Sequence, residues 1–187
     1  PAWLCDIVIL GLDTGLRPGN LVGLRCAWVQ AGGTCLIIPR EHTKGKKLLI
    51  TIPLTTRAAD IVRQSLEHAR SDYVFISRAG RPYTTAEINR WLQRAAVKAG
   101  LDNICLYTLR HSFISRLVQA GRPLTEVAAL AGHREIKMTL RYAHLAPSHL
   151  RAGIQALERR SPGQPTAPTL STEIRVTPVS QDFGRIA

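Results

Sequence analysis

Acidic residues are scarce: 13 Asp and Glu face 25 Lys and Arg among 187 residues, a formal net charge of +12. That deficit points to a polyanionic partner, most often nucleic acid, because phosphates reward cations and release counterions. Membrane-surface proteins share such a charge, so it narrows the partner without choosing it. Cysteines are also few. Cys5, Cys26, Cys35 and Cys105 are scattered with no Cys-x-x-Cys pair, which argues against a disulfide framework and for reduced thiols in a cytoplasmic protein. No apolar run approaches membrane-spanning length and no signal-peptide pattern is visible. Internal repeats are lacking as well.

What is present suits one domain with a real core, 45% hydrophobic and 20% charged. The chain runs from Pro1 almost directly into an apolar stretch, as expected of a piece of something longer. Residues 2–12 read as a buried helix broken at "DTG", and Pro18 suits a helix N-terminus, where its missing N–H costs nothing. "TCLIIPR" and "KLLITIPLT", either side of "EHTKGK", read as a β-hairpin with Leu48, Ile50, Ile52 and Leu54 on one face. Residues 55–70 return to helix. "TTAEINRWLQRAAVKAG" places Ile88, Trp91, Leu92, Ala95 and Ala99 at helical spacing. Helices are expected again in "TLRHSFISRLVQAG", "TEVAALAG", residues 135–145 and "SHLRAGIQALERR". From Ser161 the composition shifts to Pro, Ser, Thr and Gln, which predicts a flexible tail over 161–187. The class expected is α+β, mostly α-helical with a small antiparallel hairpin.

Four places have residue types suited to chemistry. On a 135–145 helix, Ile136, Leu140 and Ala143 form the expected buried stripe, and Tyr142 lies about 120° away from it. Gly132 breaks the preceding helix, so a turn could swing His133 back towards Tyr142. A surface tyrosine with two solvated histidines is the plain alternative. His133 and His144 do not have the spacing of helical metal ligands, so no metal is expected. In "LYTLRHSF", Leu109, Phe113 and Leu117 define the buried stripe, and Arg110 falls within the apolar sector in the first turn. A cation there is favoured only by an anion or by an internal salt bridge to Asp or Glu. Arg17 precedes a helix start, again a position suited to an anion or a solvated boundary residue. Lys44 occupies the hairpin tip beside Lys46 and Lys47, either a solvated turn or a flexible reach towards DNA.

Taken in order, these segments resemble the catalytic domain of the tyrosine recombinase (phage integrase) family. "TGLRPGNLVGLR" is similar to the segment bearing the first family arginine, which gives Arg17. "HTKGKK" resembles the hairpin bearing the family lysine, giving Lys44. "YTLRHSF" resembles the His-x-x-Arg box, giving Arg110. "LAGHREIKMTLRYAHL" resembles the segment that runs into the nucleophilic tyrosine, giving His133 and Tyr142. Two positions depart from the pattern: Tyr107 stands where the family usually has His, and Asn20 where an acidic residue is common. His111 lies next to the box at a different place on the helix.

The resemblance implies that residues 1–160 form a recombinase catalytic domain without the N-terminal DNA-clamping domain. Tyr142 would be the nucleophile, forming a covalent 3′-phosphotyrosine link to double-stranded DNA. Arg17 and Arg110 would clamp the phosphate, Lys44 would act as general acid, and His133 would hydrogen-bond the phosphate. Tyr107 would stand in for the family histidine, and Lys46, Lys47 and Arg134 would contact DNA. No cofactor is implied. A tetramer on DNA is implied for strand exchange, with the tail docking on a neighbour. Alternatives within the resemblance are a catalytically weakened DNA-binding module and a type IB topoisomerase-like enzyme.

Overall fold

The structure is a computed structural model, and it describes residues 1–43, 45 and 49–147. Helix α1 (Ala2–Thr14) is apolar around most of its circumference, as a helix packed on several sides must be. It buries Ile7 and Leu10 completely and packs along α5 (Leu106–Gln119). After a turn, Pro18 at the first helical position starts the short α2 (Pro18–Val22), where its fixed φ and missing N–H are both tolerated.

Strands β1 (Cys35–Ile38) and β2 (Ile50–Pro53) pair antiparallel, with Leu36 opposite Ile52 and Ile38 opposite Ile50. These four side chains point to the same face and are buried, so the hairpin lines the core through cross-strand apolar pairs. Each such burial contributes about 1.5–3 kcal/mol. Leu48, expected on this face, lies outside the described residues.

Helix α3 (Thr56–Glu67) is capped by the Thr55 hydroxyl and is tied to the end of α1. There Asp13 accepts hydrogen bonds from Thr55 Oγ1 and Arg57 Nε, each at 2.6 Å, and from Arg57 Nη2. Helix α4 (Thr85–Lys98) opens on a capping box between Thr84 and Glu87. Its buried positions are Ile88, Leu92 and Ala96, a strict i, i+4 line. Trp91, Ala95 and Ala99, expected on the inner face, are exposed instead, because α4 offers its neighbours only a narrow stripe. The Asn89 side chain accepts a hydrogen bond from the Leu106 N–H at 2.9 Å, joining α4 to the start of α5.

Helix α5 passes through two clusters. Leu106 and Leu109 belong to the large core shared with α1 and the hairpin. Phe113, Ile114 and Val118 pack against Val127 and Ala131 of α6 (Leu124–Ala131) in a smaller one. Arg110 stands between the two groups in sequence, and it is buried.

The largest departure from expectation follows α6. Residues 135–145 do not form one helix but a single turn, α7 (Lys137–Leu140), and a 3₁₀ turn at Ala143–Leu145. The stripe expected to be buried is exposed: Ile136, Leu140 and Ala143 all face outwards. Buried instead are Thr139, completely, and in part Tyr142 and Leu145, which pack on the smaller cluster. A segment this short takes its inner face from the turns that hold its ends, so the apolar periodicity does not decide it. The helix expected over 148–160 and the tail over 161–187 lie outside the described residues. All four cysteines are free.

Candidate active site

Two helices end in left-handed glycines that supply carbonyls to one spot. Gly15 (φ 58) terminates α1 and Gly132 (φ 62) terminates α6, a conformation that only glycine adopts without cost. A Cβ at Gly15 would collide with the Phe113 ring, and one at Gly132 with the end of Ile50. The two turns are therefore closed against the core, and their carbonyls have fixed directions.

Arg110 reaches between these ends. Nη1 donates to the Gly15 carbonyl at 2.6 Å and Nη2 to the Ala131 carbonyl at 2.7 Å. It lies one full turn inside α5, not in the first turn as expected. With 7% of its surface exposed, it has no ion-pair partner among the described residues, so the salt bridge raised from sequence is not what holds it. The negative ends of two helix dipoles face it instead. They do not fully replace water: burial first, and the nearby Arg17 charge second, pull the Arg110 pKa down to about 10. A half-satisfied buried cation is a strong attractor for an anion.

Arg17 caps α2 and donates Nη2 to the Gly132 carbonyl at 3.3 Å. Beyond Gly132 the chain turns, with the His133 N–H bonded to the Ala128 carbonyl at 2.9 Å. His133 Nδ1 lies 2.7 Å from the buried Thr139 hydroxyl, which fixes the ring. Burial, with Arg110, Arg17 and His111 as secondary causes, depresses the His133 pKa to about 4. The imidazole is therefore neutral at pH 7, with Nε2 left to meet a ligand.

The Tyr142 N–H is held by the Thr139 carbonyl at 2.9 Å, and its hydroxyl meets Nδ1 of His111. The two rings stand 5.9 Å apart at 35°. Burial raises the Tyr142 pKa above its ordinary value, against weaker opposing pulls from Arg110 and Arg141.

Arg17, Tyr107, Arg110, His133 and Tyr142 all line one cavity of about 320 Å³. The turn at Gly132 does bring His133 to the same space as Tyr142. His144 is exposed and does not line it. Tyr107 is 57% exposed, one helical turn before Arg110. Arg134 borders an adjoining cavity of about 170 Å³ that it shares with Arg17, and Gly45 of the β1–β2 loop approaches its guanidinium. Asn20 shares a crevice with Arg17 and Arg110. Lys44, Lys46 and Lys47 lie outside the described residues.

Three residues of the site were not assigned to it from sequence. His111 was legible in principle, because it is four residues after Tyr107 and shares its helix edge. Arg141, which also lines the cavity, had only its place beside Tyr142 to mark it. Thr139 carried no signal. Among the described residues no three His, Cys, Asp or Glu side chains converge as a metal site, and no helix is long and apolar enough to cross a membrane.

Arginines held against helix ends, a neutral histidine and a tyrosine hydroxyl around one small cavity are the residue types that suit an oxyanion beside a nucleophile. The chain belongs to the phage integrase family, whose family model matches residues 2–149. It is 31% identical over 157 residues to the integrase of Salmonella phage P22, covering 79% of this chain and 40% of that one. It is equally 31% identical over 161 residues to the tyrosine recombinase XerD of Lacticaseibacillus casei, covering 80% and 54%. The chain thus spans about half the length of these relatives or less. In fold it is similar to the Tn1549 transposon integrase solved with circular intermediate DNA, with a TM-score of 0.70, 19% identity, and 86% and 64% of the two chains covered. The catalytic domain of bacteriophage HP1 integrase matches with a TM-score of 0.62, 23% identity, and 87% and 93% covered. The fold is that of tyrosine recombinase catalytic domains, mostly helical with a two-stranded antiparallel sheet.

Proposed function

We propose that this chain provides the catalytic domain of a site-specific tyrosine recombinase, which cleaves and rejoins double-stranded DNA through a covalent 3′-phosphotyrosine. The observation that carries the reading is the shared cavity: Tyr142 lines the same space as Arg17, Arg110 and His133. A DNA phosphate seated there meets cations on one side and a nucleophile on the other.

Tyr142 attacks phosphorus, and the new ester stores the bond for rejoining. Arg110 and Arg17 take the non-bridging oxygens, whose charge grows towards the five-coordinate state. His133, neutral and fixed by Thr139, donates Nε2–H to one of these oxygens. Lys44 protonates the departing 5′ oxygen as general acid. Tyr107 hydrogen-bonds the phosphate from the rim in place of the family histidine, and Lys46, Lys47 and Arg134 contact the DNA backbone. Only side chains take part in this scheme. Strand exchange between two duplexes requires four protomers on DNA.

The test is a pool of nicked duplexes, randomised around the nick, in which the cleaved strand diffuses away and traps the protein. A covalent adduct that survives denaturation and is abolished by Tyr142→Phe is the expected result. An adduct that persists in Tyr142→Phe removes the nucleophile assignment. Binding without adduct at any pH favours a DNA-binding module, the reading that Tyr107 and Asn20 motivate. Relaxation of supercoiled DNA without site preference favours a topoisomerase.

A further inference from the structure

We propose that His111 is the base that takes the Tyr142 proton: its Nδ1 accepts the phenol hydrogen as Tyr142 attacks, and returns it on rejoining. This rests on the recombinase reading above and adds to it the group that activates the nucleophile.

Tyr142 cannot ionise unaided, because burial outweighs the pulls of Arg110 and Arg141 and keeps the phenol protonated at neutral pH. An acceptor is therefore required, and the cavity holds few. Arg17, Arg110 and Arg141 have no acceptor atom. His133 has Nδ1 occupied by Thr139 and a pKa of about 4, which makes it a poor base. Tyr107 is itself a phenol. Among the described residues, no Asp or Glu lines this cavity. His111 is the lining residue whose ring nitrogen touches the Tyr142 hydroxyl.

Its place suits the task. It follows Arg110 on α5, so the helix that positions the phosphate clamp also positions the base. Its ring is exposed, so the imidazolium formed on proton transfer is hydrated, despite Arg110 and Tyr107 on its own helix. Across the cavity it is faced by Arg17 from α2, His133 after α6, and Arg141 and Tyr142 after α7. An acceptor Nδ1 requires the hydrogen on Nε2, which water can accept at this exposed residue.

In the step, the Tyr142 O–H bond breaks and Nδ1–H forms, while Oη–P forms and P–O5′ breaks. The 5′ oxygen takes its proton from the general acid. The departure at Tyr107 then has a physical consequence: the imidazole of this box acts from the position after the arginine, on the nucleophile, and not from three residues before it.

The experiment uses the whole 187-residue chain and one duplex recovered from the nicked pool, made with oxygen or with sulfur as the 5′ bridging atom. A thiolate leaves without a proton, so sulfur rescues a lost general acid but not a lost base. Single-turnover adduct rates for His111→Ala are expected to fall by about 10²-fold or more on both substrates. Lys44→Ala should recover on sulfur. Added imidazole should restore part of the His111→Ala rate. A variant that recovers on sulfur, or matches wild type, overturns the proposal. In the DNA-free chain, the ¹⁵N spectrum should show an unprotonated His111 Nδ1 that shifts in Tyr142→Phe. A protonated Nδ1 overturns the proposal whether or not any duplex is cleaved, whereas failure of the wild type to form adduct counts against the recombinase reading.

Discussion

Arg110 sits 7% exposed between the ends of two helices, whereas Tyr142, across the same cavity, follows a helix of four residues whose apolar neighbours face outwards. The arginine's wall is over-determined: α1 and α5 pack along each other, and both glycine turns are closed by core side chains. The tyrosine's wall depends on a few backbone bonds, the buried Thr139 and the edge of the smaller cluster. Segments with so little buried surface open at lower free energy than core helices. The proposed phosphate clamp is thus preorganised, and the proposed nucleophile is the part with room to adjust.

The sharpest way to break this contrast is Arg110→Met. If the clamp is preorganised for an anion rather than for stability, the variant should lose about 10²–10³-fold in adduct formation with little change in melting temperature. Two carbonyls lose their donors, at about 1–3 kcal/mol each, but an uncompensated buried cation is also relieved. A fall in melting temperature as large as that of a core deletion would show that Arg110 holds the fold together.

Gly132→Ala attacks the frame that aims the arginines. A left-handed φ and a methyl pressed onto Ile50 should together cost about 1–3 kcal/mol. For a chain of this size that is a drop of several degrees in thermal denaturation, at about 2–4 °C per kcal/mol. The same substitution at an exposed site with ordinary φ would do almost nothing.

A smaller effect tests the seam between the walls. His133 has its pKa lowered from 6.5 to about 4 in the folded chain, so the unfolded chain binds the proton more readily. Stability must therefore fall as pH drops from 6.5 towards 4, by about 1 kcal/mol after allowing for solvent access. The slope of melting temperature against pH in that window should flatten in His133→Gln. DNA should oppose the trend, because a phosphate beside the ring favours its charged form.

Sequence reasoning reached Arg110 by asking why a cation occupied an apolar helix sector, and that question had a structural answer. His133 is reached differently, through the glycine break at 132, an ordinary helix stop whose turn carries the ring into the cavity. The failures have a different origin. Ile136, Leu140 and Ala143 obey helical periodicity, yet periodicity assigns a face only when a helix is long enough to need a partner for it. On a single turn, hydrogen bonds at Thr139 and His133 set the orientation instead. His111 is not marked by the motif because it sits at a different place on the helix from the family histidine, although it and Arg110 meet the cavity from one helix.

The smallest effect separates the walls most cleanly. Ile136 and Leu140 are 42% and 49% exposed, so Ile136→Ser and Leu140→Ser together should change the stability of this chain by no more than about 0.5 kcal/mol in denaturant titration. Serine at two buried positions of α5, such as Leu109 and Ile114, would instead cost several kcal/mol through lost burial and cavities. If the α7 substitutions prove equally damaging, the tyrosine segment is anchored by its apolar side chains after all. The proposed nucleophile would then be as rigidly held as the proposed clamp. If they are silent, Tyr142 owes its place to Thr139, His111 and the backbone turns around it. Its approach to phosphorus in the proposed reaction can then be adjusted without disturbing the core.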